Sequence, residues 1–108
     1  MIFKVLMSAQ AESDLRGIFE YIAFELLAPT NAAKQLKRLE KQILSLEKMP
    51  ERFPRYRIEP WYSRGLRFAI VDNYIIFYIY DIQEQVVTVI RVMYGGRNIE
   101  EQLNSHTK

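Results

Sequence analysis

The chain has 108 residues, of which 49% are hydrophobic and 26% are charged, and its net charge at pH 7 is +2. This length and composition indicate one globular domain with a single core, and they argue against disorder. The absence of cysteine excludes disulfides, thiolate nucleophiles and cysteine-based metal sites, and no apolar run approaches the ~20 residues of a membrane span. Because Lys4 interrupts the first apolar run and acidic residues follow soon after, no signal peptide is expected. The sequence therefore indicates a cytoplasmic protein without a membrane partner.

The first half of the chain has the pattern of a strand followed by two helices. Residues 2–7 are β-rich and predict a short first strand. Ser8 is suited to cap the helix that follows, whose apolar residues recur at helical spacing as far as the LAPT segment (27–30). Thr30 is predicted to cap a second amphipathic helix, which ends before Pro50. The two helices are expected to form a hairpin in which each buries one face.

The second half begins with an irregular segment and continues as three strands. Residues 50–65 contain three prolines and no hydrophobic period, which predicts a loop rich in arginine and aromatic residues. Three β-rich runs follow, separated by turn signals, at 66–71, 74–80 and 86–93. The middle run, YIIFYIY, has no polar break, which is typical of a central strand covered on both faces. A short helix is expected at 97–103.

The order of these elements predicts an α+β fold of the type β-α-α-β-β-β. In this fold an N-terminal strand, a helical hairpin and a three-stranded antiparallel meander share one sheet. One domain is expected over residues 1–103, and residues 104–108 are expected to be a disordered tail. Arg91 lies inside the last apolar strand, so it is expected to point to the polar face and to have a structural role.

The basic residues of the second half are unusual in type. From residue 52 to residue 97 every one is an arginine, at positions 52, 55, 57, 64, 67, 91 and 97. Arginine is suited to planar, bidentate contacts with phosphates and to stacking on bases, which lysine is not. This distribution predicts a phosphate-binding face in which Arg55, Arg57 and Arg64 contact RNA or another phosphate. Incidental placement on a solvated surface is the alternative interpretation.

The VMYGGRN segment (92–98) places two of the chain's 4 glycines between a tyrosine and an arginine. Adjacent glycines either turn the chain or bring Tyr94 and Arg97 close to a ligand. Arg67 begins the first hairpin strand, and we expect it to lie at the same end of the sheet as Tyr94 and Arg97. Fixed cations of this kind stabilise a pentavalent phosphate. An exposed strand end for Arg67 and an edge aromatic for Tyr94 are the alternative interpretations.

Few side chains are available for proton transfer. His106 lies third from the end, where termini fray, so the common catalytic triads are not expected, and neither a metal nor a cofactor is predicted. Deprotonating Tyr94 at pH 7 would cost about 4 kcal/mol, but the neutral phenol can donate a proton or a hydrogen bond to a leaving oxygen. Glu51 and Glu59 would act as bases only if burial raised their pKa.

The order and spacing of four segments resemble the RelE/ParE superfamily of bacterial type II toxins over about residues 3–103. The segments are AESDLRGIFEYIAFEL, LEKMPERFP, GLRFAIVDNYIIFYIYD and the closing VMYGGRN. The resemblance implies a small cytoplasmic growth inhibitor that a cognate antitoxin, usually encoded beside it, holds inactive in a hetero-oligomer. RelE-like members enter the ribosomal A site and cut mRNA, whereas ParE-like members poison DNA gyrase without hydrolysis.

The resemblance also assigns residues, with some departures. Arg97 matches the arginine of the closing motif, Arg67 matches the arginine of the G-L-R strand start, and Arg55 and Arg57 fall in the loop that contacts RNA in RelE-like nucleases. Ile75 stands where many nuclease members carry arginine.

Two further positions differ from, or only partly match, the nuclease pattern. Tyr94 stands where many relatives carry histidine, and Glu59-Pro60 resembles a pair found in one nuclease branch.

Two functions therefore stay open. One is a ribosome-dependent mRNA interferase with Arg67, Tyr94, Arg97 and Glu59 as catalytic residues and Arg55, Arg57 and Arg64 as RNA contacts. The other is a gyrase inhibitor that acts by protein binding.

Overall fold

A computed structural model describes residues 1–96 and 98–106 of the chain. Seven regular elements follow one another, namely β1 (Lys4–Met7), α1 (Ala9–Glu20), α2 (Pro29–Ser45), β2 (Arg67–Val71), β3 (Tyr74–Asp81), β4 (Val86–Tyr94) and α3 (Ile99–His106). A π-helical turn at Tyr21–Glu25 continues α1, and a 3₁₀ turn at Pro50–Arg52 follows α2. The predicted α+β architecture, with strand, helical hairpin and meander in one sheet, is confirmed.

The four strands form one sheet in the order β1-β4-β3-β2. The last three strands form an antiparallel meander, and β1 joins its edge parallel to β4. Arg67 pairs with Tyr78, and Tyr74 pairs with Tyr94. The start of β2 therefore lies at one end of the sheet, which we call the Arg67 end. The end of β4 lies at the other, which we call the Tyr94 end.

The two long helices begin in different ways. Ser8 caps α1 as predicted, since its Oγ accepts a hydrogen bond from the Ala11 N–H at 3.0 Å. The same hydroxyl donates to the Ile90 carbonyl at 2.8 Å and so joins the start of α1 to β4. The predicted Thr30 cap is wrong, because α2 already begins at Pro29 and has no side-chain cap. Proline fits this first helical position because its missing N–H would have no partner there.

The sheet is covered on both faces, as the unbroken apolar run of β3 predicted. On one face α1 and α2 pack against β3 and β4, with Leu39 and Ile76 both 0% exposed. On the other face the loop after α2 and the C-terminal helix form a second cluster, which consists of Trp61, Leu66, Phe77, Met93 and Leu103. Adjacent residues of β3 are thus buried in two different clusters, and the strand has no solvated face at its centre.

The irregular segment before β2 lies along the outer edge of the sheet. The Tyr56 N–H donates to the Leu66 carbonyl at 2.8 Å, and the Phe68 N–H donates to the Pro54 carbonyl at 3.1 Å. These bonds occupy polar backbone groups at the edge of β2 that would otherwise face solvent. The segment is therefore an ordered part of the fold as well as a loop.

The C-terminal helix extends further than the sequence indicated. Helix α3 runs to His106, so residues 104–106 are helical where a tail was expected, and residues 107–108 lie outside the described residues. Leu103 is 0% exposed, and the Trp61 indole N–H donates to the Asn104 side-chain oxygen at 2.9 Å. These contacts hold the helix against the loop. Within the described part of the chain, no helix has the length and apolar character that crossing a membrane requires.

Candidate functional site

A cleft of about 440 Å³ opens at the Arg67 end of the sheet. Three arginines line it, Arg55 and Arg64 from the loop and Arg67 from the first position of β2. We call it the arginine cleft; its remaining walls come from Gly65, the end of β3 and the β3–β4 turn. Each guanidinium lies over an aromatic ring: Arg55 over Tyr62 at 4.1 Å, Arg64 over Trp61 at 4.9 Å and Arg67 over Tyr80 at 5.4 Å. The rings restrict the positions of the cations before any ligand arrives.

Backbone carbonyls hold two of these arginines as well. Arg67 Nη1 donates to the Phe53 carbonyl at 2.6 Å and to the Glu51 carbonyl at 3.1 Å. Arg55 Nη2 donates to the Tyr62 carbonyl. Arg67 is half-buried, so it ties the loop to the sheet in addition to lining the cleft. Arg57 is exposed and lies outside the cleft lining, although the sequence grouped it with Arg55 and Arg64.

The carboxylates near the arginine cleft are occupied by hydrogen bonds of their own. Glu59 accepts from the Ser63 hydroxyl at 2.6 Å and from the Ser63 N–H at 2.9 Å. These bonds, with a smaller contribution from nearby Arg55, lower the pKa of Glu59. A catalytic base at neutral pH needs a raised pKa. Glu59 has a lowered one, so it does not meet the condition for acting as a base.

The second carboxylate, Asp81, lines the cleft. It accepts hydrogen bonds from the N–H groups of Gln83 at 2.9 Å and Glu84 at 3.2 Å in the β3–β4 turn.

The cleft arginines and Tyr94 lie at opposite ends of the sheet. The partners of Arg67 and Tyr94 on β3, Tyr78 and Tyr74, are four residues apart along that strand, a distance of about 13 Å. The prediction that Arg67 and Tyr94 share an end is therefore wrong. Both β2 and β4 are antiparallel to β3, so they run in the same direction, and the start of one is remote from the end of the other. Arg97, the third member of the predicted set, lies outside the described residues.

The glycine pair of VMYGGRN serves close contacts within the chain. The Gly95 N–H donates to the Asn73 carbonyl at 2.8 Å, which holds the end of β4 against the β2–β3 turn. A Cβ on Gly95 would lie 3.3 Å from that carbonyl oxygen, and a Cβ on Gly96 would lie 2.7 Å from the ring of Tyr94. The Tyr94 ring in turn packs edge-on against Tyr74, with 5.9 Å between the centroids. Local packing thus accounts for Gly95, and a side chain at Gly96 would have to displace the Tyr94 ring.

A groove of about 920 Å³ begins beside Tyr94 and runs between the helical hairpin and β4. We call it the helix groove. Its apolar lining includes Tyr21, Leu26 and Tyr74, and the basic residues Lys34 and Arg38 stand on the α2 side. Burial, followed by the neighbouring tyrosines, raises the pKa of Tyr74, so its phenol is neutral at pH 7. The groove therefore combines apolar side chains with polar and basic ones.

The β2–β3 turn beside this groove is anchored to α2. Asp72 Oδ2 accepts from Arg38 Nε at 2.7 Å and from Gln35 Nε2 at 2.9 Å. These hydrogen bonds lower the pKa of Asp72. The anchor fixes the position of Asn73, to which the end of β4 is bonded.

A buried ion pair was missed by the sequence analysis. Arg91 is 4% exposed, and its Nε and Nη2 donate to the two carboxylate oxygens of Asp14 at 2.7 and 3.0 Å. The Val92 N–H also donates to Asp14 at 2.9 Å, and Arg91 Nη1 donates to the Gln102 carbonyl at 3.2 Å. The expectation that Arg91 points to a polar face is wrong, because α1 and α3 cover it. The available signal was the position of Asp14 between Ala11 and Ile18 on the apolar stripe of α1.

Several solved structures that share this fold come from toxin–antitoxin systems. The chain is similar to the chromosomal ParDE system of Pseudomonas aeruginosa with a TM-score of 0.72 and 16% identity, covering 86% of this chain and 96% of that one. It is similar to the RelBE2 complex of Mycobacterium tuberculosis with a TM-score of 0.62 and 21% identity, covering 87% of this chain and 92% of that one. It is similar to a mutant of the Escherichia coli toxin RelE in the free state with a TM-score of 0.62 and 16% identity, covering 89% of this chain and 86% of that one. These likenesses define the fold as that of the RelE/ParE superfamily.

The family follows from the sequence itself. The model of the family described as "ParE toxin of type II toxin-antitoxin system, parDE" matches residues 5–99. No curated protein matches the chain. The chain belongs to the ParE toxin family, and the resemblance inferred from the four sequence segments is confirmed at the level of the superfamily.

Proposed function

We propose that this toxin inhibits growth by binding a protein target without hydrolysis, and that DNA gyrase is the first target to test. The observation that carries the proposal is the separation of Arg67 from Tyr94 along the sheet. Cleavage of a phosphodiester needs cations and proton-transfer groups around one phosphate, at hydrogen-bond distance from the reacting atoms. Two of the residues expected to share that task stand about 13 Å apart along the strand direction.

Two further features support binding over cleavage. The lowered pKa of Glu59 makes its carboxylate a weaker base than an ordinary glutamate. Ile75, which is half-buried against the second core cluster, stands where many nuclease members of the superfamily carry arginine. Membership in the ParE family agrees with this choice, since the ParE-like branch is the one that poisons gyrase.

The proposed target is tested in two parallel assays with the purified chain. In the first, gyrase supercoils a relaxed plasmid in the presence of increasing toxin, and we expect loss of supercoiled product that the cognate antitoxin restores. In the second, primer extension maps mRNA in a cell-free translation reaction, and we expect intact message. Unimpaired supercoiling at a toxin excess over gyrase would refute gyrase as the target, and message cut in the translation reaction would refute binding without hydrolysis. Heat-denatured toxin is the control for non-specific inhibition.

A ribosome-dependent mRNA interferase is the second candidate, and the arginine cleft is the observation that favours it. The chain presents three ordered guanidinium groups on one surface, as RNA contacts require. Cuts within codons at the A site, found only on translated message, would establish this activity. If the Tyr94→Phe variant made the same cuts, the Tyr94 hydroxyl would have no role in the chemistry.

We also propose that a cognate antitoxin neutralises the toxin by occupying the helix groove. A groove lined by apolar side chains, with Lys34 and the Asp72-paired Arg38 on its α2 side, suits an amphipathic segment that carries acidic residues beside its apolar face. The family membership and the toxin–antitoxin complexes among the similar structures support such a partner. Co-expression with the neighbouring open reading frame followed by affinity purification of the toxin should recover a small acidic protein. Recovery of the toxin alone would count against it.

A further inference from the structure

We propose that the tip of the helical hairpin contacts the protein target through Phe24 and Leu27, on a surface separate from the helix groove. With the flanking carboxylates Glu20 and Glu25, these two residues form what we call the hairpin tip. The inference rests on the proposed function, binding of a protein without hydrolysis, and adds where the target binds and which chemistry its surface has. Three observations carry it, namely side-chain exposure, backbone conformation and charge.

The hairpin tip exposes large apolar side chains close together. Phe24 is 67% exposed, and Leu27 is 82% exposed, the highest value among the large apolar side chains of the described residues. Tyr21 and Leu26 beside them are also more than half exposed and line the helix groove, whereas Phe24 and Leu27 do not. Single exposed apolar residues are ordinary, but a contiguous exposed patch marks an interaction site. A segment seated in the groove therefore leaves Phe24 and Leu27 available to another partner.

The backbone at the tip is not the one that favours stability. Leu27 has a φ of 55°, in the left-handed region, just after a helix end, where glycine is the usual residue. Leucine is unfavourable in this conformation, and at this exposure its side chain gains little burial in return. The turn before it, Tyr21–Glu25, is π-helical, a geometry frequent at functional sites. A large apolar residue held in this way indicates that the side chain serves binding rather than folding.

The charge of the tip selects the kind of partner. Between Gly17 and Ala33 the charged residues are Glu20 and Glu25, and both are exposed. Carboxylates beside an apolar surface are repelled by the phosphates of nucleic acids and of anionic lipids, which attract basic residues instead. The complementary surface is an apolar hollow on a protein, bordered by lysine or arginine. The tip therefore suits a protein target of this chemistry.

The first test is Leu27→Gly, which removes the side chain and fits the left-handed backbone. Its melting temperature should equal or exceed that of the parent, and its affinity for the antitoxin should be unchanged. We expect it to require about tenfold more toxin for half-inhibition of gyrase supercoiling, because a large apolar anchor is lost. It should also arrest growth less when expressed without the antitoxin. Met49→Gly is the matched control, since Met49 has a φ of 49° and is 64% exposed but follows the other end of α2, and it should inhibit as the parent does.

The second side chain is tested by Phe24→Ala. Alanine favours helical backbone, so the fold should be kept while inhibition weakens several-fold. Leu44→Ala is the control, because Leu44 is 63% exposed on α2 and should be replaceable without loss of inhibition.

The basic border of the partner is tested by Glu20→Gln/Glu25→Gln. This variant should inhibit more weakly than the parent, with a smaller dependence on salt, because the attraction between the two surfaces is reduced. Glu12→Gln/Glu40→Gln removes two exposed carboxylates of α1 and α2 and should inhibit as the parent does. Unchanged inhibition in the tip variant would overturn a basic partner.

The remaining outcomes separate the hairpin tip from the proposed function. A parent chain that neither arrests growth nor inhibits gyrase would refute the proposed function, and the tip with it. An active parent with equally active Leu27→Gly and Phe24→Ala variants would overturn the tip alone, and so would an equal loss in the Met49→Gly and Leu44→Ala controls. Loss of antitoxin affinity in Leu27→Gly would identify the antitoxin as the occupant instead. A parent dimer in sedimentation that Leu27→Gly dissociates, with inhibition unchanged, would identify a second copy of the chain.

Discussion

Single residues in the interior hold together elements that are remote in the chain. The Asp14 carboxylate accepts both from Arg91 and from the Val92 N–H, so one side chain of α1 satisfies two donors of β4. Arg91 also reaches the Gln102 carbonyl of α3. A buried ion pair of this kind adds little net stability when intact, but losing one partner leaves a charge in the interior.

Replacing Asp14 should therefore be far more costly than replacing an exposed carboxylate. We expect Asp14→Asn to lower the free energy of unfolding by about 3–5 kcal/mol, because the Arg91 guanidinium stays buried without its counter-charge. The measurement is urea denaturation followed by circular dichroism. Asp72→Asn is the matched control: it removes the carboxylate of the other ion pair, whose side chains are 52% and 43% exposed, and should change stability little. Equal effects of the two substitutions would refute this account of the interior pair.

Tyr78 makes stability depend on alkaline pH. Its side chain is 0% exposed, its hydroxyl donates to the Pro50 carbonyl, and burial raises its pKa to about 12. Below the unfolded-state pKa of about 10 the stabilising contribution is complete. As pH rises from 10 through 12, the unfolded chain loses the proton first, so folding stability falls.

Denaturation at pH 8 and at pH 11 tests this linkage. The parent should lose stability between the two values, and Tyr78→Phe should lose less, because its ring has no proton to release. At pH 8 the variant should already be less stable by about 1–3 kcal/mol, since the Pro50 carbonyl loses its buried partner. The same alkaline loss in the parent and the variant would assign the effect to the other tyrosines with raised pKa, Tyr56 and Tyr74.

Whole elements were predictable from hydrophobic periodicity, and their relative placement was not. All four strands and three helices were expected within a few residues of their observed bounds, because amphipathic period and turn residues are local properties. The proximity of Arg67 and Tyr94 was wrong because it depends on the direction of strands in the sheet. The burial of Arg91 escaped notice because α3, which covers it, packs there through tertiary contacts made by Leu103 and Asn104.

The helix start at Ser8 offers a test at the scale of an element. Ser8→Ala removes the cap on the Ala11 N–H and the bond to the Ile90 carbonyl, which joins α1 to β4. We expect a loss of about 1–2 kcal/mol in the free energy of unfolding. Ser13→Ala is the control within the same helix, since Ser13 is exposed and alanine favours the helix interior. A loss in Ser13→Ala as large as that in Ser8→Ala would contradict the capping role.

At the scale of the whole molecule, the two candidate binding surfaces lie at opposite ends of one sheet. The helix groove begins beside Tyr94, and the arginine cleft surrounds Arg67, with the buried centre of β3 between them. Neither surface shares a lining residue with the other. The ligands proposed for them, an antitoxin segment and, for the second candidate function, RNA, should therefore be separable by substitution.

The separation can be tested with two exposed leucines that are neighbours in the chain. Leu26 lines the helix groove and is 56% exposed, whereas Leu27 is 82% exposed and lies outside the groove lining. We expect Leu26→Lys to weaken antitoxin binding at least about tenfold, because a charge would have to be desolvated against the apolar face of the partner. Leu27→Lys carries the same charge one residue away and should bind the antitoxin as the parent does.

Both leucine variants should bind oligonucleotides as the parent does. The double variant Arg55→Gln/Arg64→Gln should bind oligonucleotides more weakly and the antitoxin as the parent does. Isothermal titration with the antitoxin and anisotropy with the oligonucleotides measure the two affinities. If any one of these variants lowered both affinities together, the two surfaces would not be independent, and a single extended interface would have to replace them.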